Sequence, residues 1–270
     1  MVEEIEISTL DLRYESYRMK SKGTEKALLA SIMEHGIRDP LHGVDTNDSR
    51  ILLDGFKRYR CAKHLGIAIV PYQSLGRDQP VAIITLLRTS NAKSLSILEQ
   101  AKLIDELKIV HAMRTGEIAK LLERSTSWVS VRTGIMGEMS SAVMDRIFAG
   151  EFPPYCYLYT LRQFMRINKV EPQDIEEFVK AVSGKHLSTR DIDLLAHGYF
   201  KGSEDFRQQL RRGNISWSLS RLKQTSAQSS SCTEGEKRMR RDLEIVQKYR
   251  RRAIVGSKDP RLKTNSFYSQ

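Results

Sequence analysis

The 270-residue chain holds 44 Lys and Arg against 33 Asp and Glu, a formal net charge of +11, with 40% hydrophobic and 29% charged residues. That composition fits a soluble globular protein of two small domains, and the longest apolar run, Val81–Leu87, is far too short to span a bilayer. Three cysteines (Cys61, Cys156 and Cys232) without C-x-x-C spacing, and six histidines without an H-x-x-H or H-x-x-x-H pair, argue against a disulfide framework or zinc site and for a reducing cytoplasm.

The acidic start, MVEEIEI, has no apolar core of the kind a signal peptide carries. Alternation of Ile5 and Ile7, then Leu10 and Leu12, predicts a short strand over Ile5–Leu12. Thr24–His35 reads as a helix capped by Thr24, with Leu28, Leu29 and Ile32 on its apolar face and Gly36 ending it. Pro40–Val44 begins a strand, Asn47–Ser49 is a polar turn, and Ile51–Asp54 is the partner strand. Gly55 then punctuates the chain before a basic helix, Phe56–Leu65, which stops at Gly66. Glycine at a strand-to-helix turn lets backbone approach an anion, and the first free N–H groups of the helix point at it. Lys57, Arg58 and Arg60 sit in the first turns, where the helix dipole disfavours cations. A bound phosphate chain would account for them, and so would a solvated basic face.

The segment GFKRYRCA is similar to the GERRYRA box of the ParB/Spo0J partition family, with phenylalanine for glutamate and lysine for the first arginine. Leu29–Val44, LASIMEHGIRDPLHGV, resembles the box that precedes it in that family. Arg13–Lys20 replaces the family's N-P-x-Q-P-R stretch, and only Arg18 matches it. Ala68–Gln73 reads as another strand, and Gln79–Leu87 as a helix or strand of the same core. In Arg88–Ala101, where the family has E-N-x-x-R, Asn91 matches the asparagine, Ser90 replaces the glutamate, and Lys93 is nearest to the arginine. Ser96 and Glu99 form a capping box opening a helix over Ile97–Met113.

Thr115–Met136 has the length and pattern of a helix-turn-helix. Ile118, Ala119, Leu122 and Val129 face inward, and Glu123–Ser125 make the turn. Arg124, Ser125, Thr126, Ser127, Ser130 and Arg132 are the candidate DNA-binding residues, with Thr126, Ser127, Ser130 and Arg132 exposed on the second helix. Short polar side chains and arginine suit base edges and phosphates. An αα-hairpin of a bundle would show the same pattern. The resemblance favours DNA, because the family's helix-turn-helix lies here.

Helices follow over Ser140–Gly150, Pro153–Phe164 (with Tyr155, Tyr157 and Tyr159 packing), Pro172–Val182, Ser188 to about His197 behind a second capping box, and Phe206–Leu222. Gln224–Gly235 reads as a Ser/Thr-rich linker. Lys237–Ile254 is a basic helix with Met239, Leu243, Val246 and Ala253 as a narrow apolar stripe, and the remainder reads as disordered. Residues 201–270 hold 17 Lys and Arg against 7 Asp and Glu, so nearly all the excess charge sits there and points to a polyanion, nucleic acid before membrane.

The expected architecture is an α+β N-terminal ParB/sulfiredoxin-like domain (1–87), an all-α DNA-binding domain (88–222) with its helix-turn-helix at 115–136, a linker (223–236), and a basic helix and tail (237–270). The resemblance, over roughly residues 5–165, implies CTP with magnesium in the N-terminal domain. It assigns Gly55, Lys57, Arg58 and Arg60 to the triphosphate, Gly36 to close backbone approach, and Asn91 to nucleotide and Mg. It implies duplex DNA as partner, a homodimer closed by CTP into a clamp, a possible ParA-type ATPase, no membrane, and a nucleoid- or plasmid-associated cytoplasmic location. No catalytic residue is assigned. With Ser90 at the acid's place the chain is at most a weak CTPase, since a hydroxyl is a poor base at neutral pH. The alternative is a phosphoryl-transfer enzyme or nuclease on the same fold, against which stands Asp54 as the one acid near Gly55.

Overall fold

A computed structural model describes residues 2–90, 95–228 and positions 238, 239, 242, 243, 245, 246 and 249. The chain divides into two units, Met1–Ile215 and Ser216–Gln270.

The first unit opens with β1 (Val2–Glu6), a 3-10 turn (Ile7–Thr9) and β2 (Leu10–Asp11), so the single strand expected over Ile5–Leu12 is broken in the middle. A second 3-10 turn (Glu15–Tyr17) leads to α1 (Lys22–His35). α1 starts two residues before Thr24, whose hydroxyl donates to the Ser21 carbonyl at 3.1 Å within the first turn. β3 (Leu41–Asp45) and β4 (Arg50–Asp54) form the expected antiparallel pair, followed by α2 (Phe56–His64), β5 (Ile69–Ser74) and α3 (Gln79–Thr89). The segment left open between helix and strand is thus helical. Asp78 caps it by accepting from the Val81 N–H, and Pro80 sits in its first turn.

The five strands form one mixed sheet in the order β1-β5-β3-β4-β2. Ile51, Leu52 and Leu53 are all buried, which requires both faces of β4 to be covered. At Gly43 a Cβ would overlap the Ile51 main-chain oxygen of β4 and strike the Tyr72 ring of β5, so β3 needs glycine between its two neighbours.

Helices make up the rest of the unit. α4 (Ile97–Ile109) carries the expected capping box but ends before Met113. α5 (Thr115–Leu121) and α6 (Thr126–Glu138) pack on it, and α7 (Ser141–Phe148) follows. α8 (Pro154–Cys156) runs through a π turn (Tyr157–Leu161) into α9 (Arg162–Asn168). The π turn buries Tyr157 and leaves Tyr155 and Tyr159 exposed as a tilted pair 4.7 Å apart, so those two tyrosines do not pack inside as expected. α10 (Pro172–Val182), α11 (Thr189–Lys201) and α12 (Glu204–Arg211) complete the unit. Ser188 caps α11 by accepting from the Asp191 N–H and donates its hydroxyl to the Asp191 carboxylate.

The helix expected over Phe206–Leu222 is interrupted at Gly213, whose φ of +86° stops α12. α13 (Ile215–Gln228) then carries helix through residues 223–228, which the sequence placed in the linker. Linker residues 229–236 lie outside the described residues. So does most of the basic helix and tail, of which the described positions are helical, with Met239, Leu243 and Val246 exposed.

The α/β and helical parts of the first unit meet along the chain that precedes α1. Tyr14 and Tyr17 donate their hydroxyls to Glu106 of α4, at 3.1 and 2.6 Å. The Lys20 N–H donates to the Phe148 carbonyl at 2.9 Å. Gly150, at φ +77°, passes so close to the Lys20 carbonyl oxygen that any Cβ would overlap it.

Candidate functional site

Along that seam lies a cleft of about 1160 Å³. The α/β part contributes Arg18, Lys20, Asp54, Gly55, Lys57 and Arg58, and the helical part contributes Glu99, Gly150, Phe152, Pro153, His186 and Leu187.

Gly55 is what lets β4 pass directly into α2. It sits at the N-cap in the left-handed conformation, φ +100° and ψ +13°. A Cβ there would stand 3.0 Å from Leu41 Cγ, so both backbone and space call for glycine. The first amides of α2 have no side-chain cap, which leaves donors and the positive end of the dipole directed at the cleft.

Asp54 anchors the floor. Arg18 Nη2 donates to Asp54 Oδ1 at 2.7 Å, and Arg58 Nη2 donates to Oδ2 at 3.1 Å. Burial raises the Asp54 pKa, but His42 and the charges of Arg18 and Arg58 outweigh it and hold the carboxyl below its usual value. Arg58 also donates to the carbonyls of Asp39 and Pro40, at 2.8 and 2.7 Å, so its guanidinium is held against the β3 approach. Among the described residues, Lys57 has no carboxylate within ion-pairing distance.

The structure brings Gly55, Lys57 and Arg58 together and sends the other candidates elsewhere. Arg60 does not line the cleft; it pairs with Glu15 at 3.0 Å and with Glu25, tying α2 to α1 and to the turn before it. Gly36 is the exposed C-cap of α1 at φ +71°, with open space where a Cβ would be, so its glycine answers the turn and not a close approach. Ser90 ends α3 and donates its hydroxyl to the Leu87 carbonyl at 3.0 Å. Asn91 and Lys93 lie outside the described residues. Asp54 is not the only acid here, as the sequence suggested, because Glu99 joins it. Glu99 accepts from the Met19 N–H at 3.0 Å and from the Ser96 N–H at 2.8 Å, and it stands 3.6 Å from Arg18 Nε. Its place in the capping box was legible; its turn toward Met19 was not.

α5 and α6, packed on α4, are joined through Glu123, at φ +54°. Glycine takes that conformation freely and glutamate only at a cost of about 1–2 kcal/mol. Ile118, Ala119, Leu122 and Val129 are all buried, as expected. Ser125 is the N-cap of α6 and accepts from the Trp128 N–H at 3.1 Å. Arg124, Thr126, Ser127 and Ser130 are exposed. Arg132 is not: its guanidinium carbon lies 3.3 Å from the centre of the Trp128 ring, and its Nε donates to Gln100 Oε1 at 3.0 Å. Burial, then the nearby charge of Arg124, pull its pKa down to about 10, and it stays charged at neutral pH.

No family model matches the chain. Stage 0 sporulation protein J of Bacillus subtilis (strain 168) is 27% identical over 200 residues, 72% of this chain and 67% of that protein. The chain is ParB-like. Two solved structures of the C-terminally truncated chromosome-partitioning protein ParB from Caulobacter crescentus overlap this ParB-like chain loosely. The one complexed to the centromeric parS site is 16% identical, with a TM-score of 0.34, and covers 72% of this chain and 98% of its own. The one complexed with CTP-gamma-S is 18% identical, with a TM-score of 0.29, and covers 71% and 98%. The fold class expected from sequence, a mixed α/β N-terminal part ahead of a helical remainder, is the one the ParB-like chain has. Among its described residues, no helix is long and apolar enough to cross a membrane, and no group of three His, Cys, Asp or Glu could hold a metal ion.

Proposed function

We propose that this ParB-like chain binds duplex DNA in plasmid or chromosome partition, or as a regulator on a mobile element, and works as a CTP-dependent clamp. The observation that carries the reading is the α5–α6 pair. Its four inward residues are buried, and Arg124, Ser127 and Ser130 stand exposed beside the first turns of α6. Polar side chains at that position contact phosphates and base edges in a helix-turn-helix.

The cleft is the nucleotide site of this reading. Its donor set fits a triphosphate: uncapped amides at the start of α2, the left-handed Gly55, and Lys57. Arg58 lines the same wall while bracing Asp54. Phosphate oxygens accept charge-assisted bonds from such groups. Magnesium would enter with the nucleotide, with Asn91 as the protein's contribution. The proposal includes a homodimer, a ParA-type ATPase as partner, a nucleoid- or plasmid-associated location, and hydrolysis that is weak at most because Ser90 is no base.

Fluorescence anisotropy with duplex DNA across a salt series tests the DNA half. The expected result is binding whose logarithm falls linearly with log salt; no binding at low salt overturns it. Calorimetry with CTP and magnesium, with and without duplex, tests the nucleotide half, and absence of heat in both conditions overturns that half alone.

A further inference from the structure

Val131 stands on α6 next to Ser127 and Ser130, at the i+4 and i+1 positions from them, and is 58% exposed. Its neighbour Arg132 is drawn back against Trp128 and Gln100. An aliphatic side chain therefore flanks the two hydroxyls on the exposed face of α6, one turn beyond Ser127, with Arg124 ahead of the helix.

The fold does not account for a valine there. A β-branched residue is a poorer helix former than alanine, and an exposed position recovers little of that by burial. What valine offers is a rigid pair of methyls, because one χ1 rotamer dominates for it in a helix. In the major groove of duplex DNA, one base edge carries an apolar group, the 5-methyl of thymine, and short aliphatic side chains pack on it.

We infer that Val131 is a specificity-determining residue of the proposed DNA interface, packing its methyls on the 5-methyl group of a thymine. The inference rests on the DNA-binding reading of α6.

The test begins with selection of bound duplexes from a random library by the full chain at moderate salt. In the best duplex each thymine is replaced singly by uracil, which lacks only the 5-methyl. At one position per bound chain, uracil should weaken binding about fourfold, the value of one methyl-sized burial. Val131→Ala should weaken binding to the thymine duplex by a similar factor and make it indifferent to the replacement. Circular dichroism of the variant should be unchanged, since the residue is exposed. Uracil-insensitive binding by the unaltered chain overturns the inference while leaving DNA binding intact. Equal losses by Val131→Ala on both duplexes also overturn it. Failure to enrich any duplex overturns the DNA reading, and the inference with it.

Discussion

Glu99 and Gln100 are consecutive residues on the first turn of α4, and they hold two different places. Glu99 accepts from the Met19 N–H at the edge of the cleft. Gln100 accepts from Arg132 Nε on the second helix of the α5–α6 pair, and its own amide donates to the Leu95 carbonyl at 3.0 Å. A single helical turn thus fixes both the chain that enters the cleft and the helix proposed to read DNA.

Gln100→Ala should loosen α6 without unfolding it. It removes the hydrogen bond to a half-buried charged group, worth about 1.5 kcal/mol, along with the exchangeable one to the Leu95 carbonyl. For the first unit that corresponds to a drop in Tm of about 3–6 °C. Arg132→Ala should cost more, because the stacking on Trp128 goes as well. A double-mutant cycle measured by thermal unfolding checks this: the pair should be non-additive. Additive losses would mean that the bond holds nothing.

Lys57→Ala and Arg58→Ala should separate binding from stability. Lys57 forms no ion pair among the described residues and feels only the more distant charge of Glu25, so its loss should weaken CTP binding about tenfold and leave Tm within about 1 °C. Arg58 braces two carbonyls and Asp54, so its loss should lower both affinity and Tm. Calorimetry alongside thermal unfolding distinguishes the two. A Lys57 variant with unchanged affinity would remove that side chain from the site.

Gly55→Ala should destabilise the first unit by about 1–3 kcal/mol. The new residue must hold φ near +100° with its Cβ against Leu41. Urea unfolding reads this as a lower midpoint at unchanged slope.

Asp54 makes stability fall with acid. Its folded pKa lies below the ordinary value of 3.8, so the unfolded chain takes up the proton first as pH drops. The contribution is complete above that value and disappears as pH falls through the folded pKa. Asp54→Asn should be destabilised at pH 7, and its deficit against the unaltered chain should shrink below about pH 4. Urea midpoints taken between pH 7 and pH 3 test the sign. A deficit that stays constant would mean that Asp54 does not titrate differently on folding.

Local signals in the sequence carried the strand, glycine and helix of Ile51–His64. An apolar run, a left-handed turn and a basic helix each leave their mark within a few residues. The capping box at Ser96 was legible for the same reason. Pairings across long stretches of chain were not. Arg60 reads like its neighbours Lys57 and Arg58, and only folding sets Glu15 and Glu25 beside it. Arg132 reads as an exposed arginine because Gln100, 32 residues earlier, has no periodic tie to it. Tyr155 and Tyr159 were placed inside together with Tyr157, although at i and i+4 they share one helix face and Tyr157 lies across from it.

Gly150 has a further consequence for how this sequence can drift. Exposed positions are ordinarily where substitutions accumulate unnoticed, and Gly150 is exposed. Yet the atom it excludes is a main-chain oxygen of Lys20, which cannot swing aside as a side chain would. A mutational map ranked by solvent exposure would therefore mark position 150 as permissive, when in this fold it is among the least free to change.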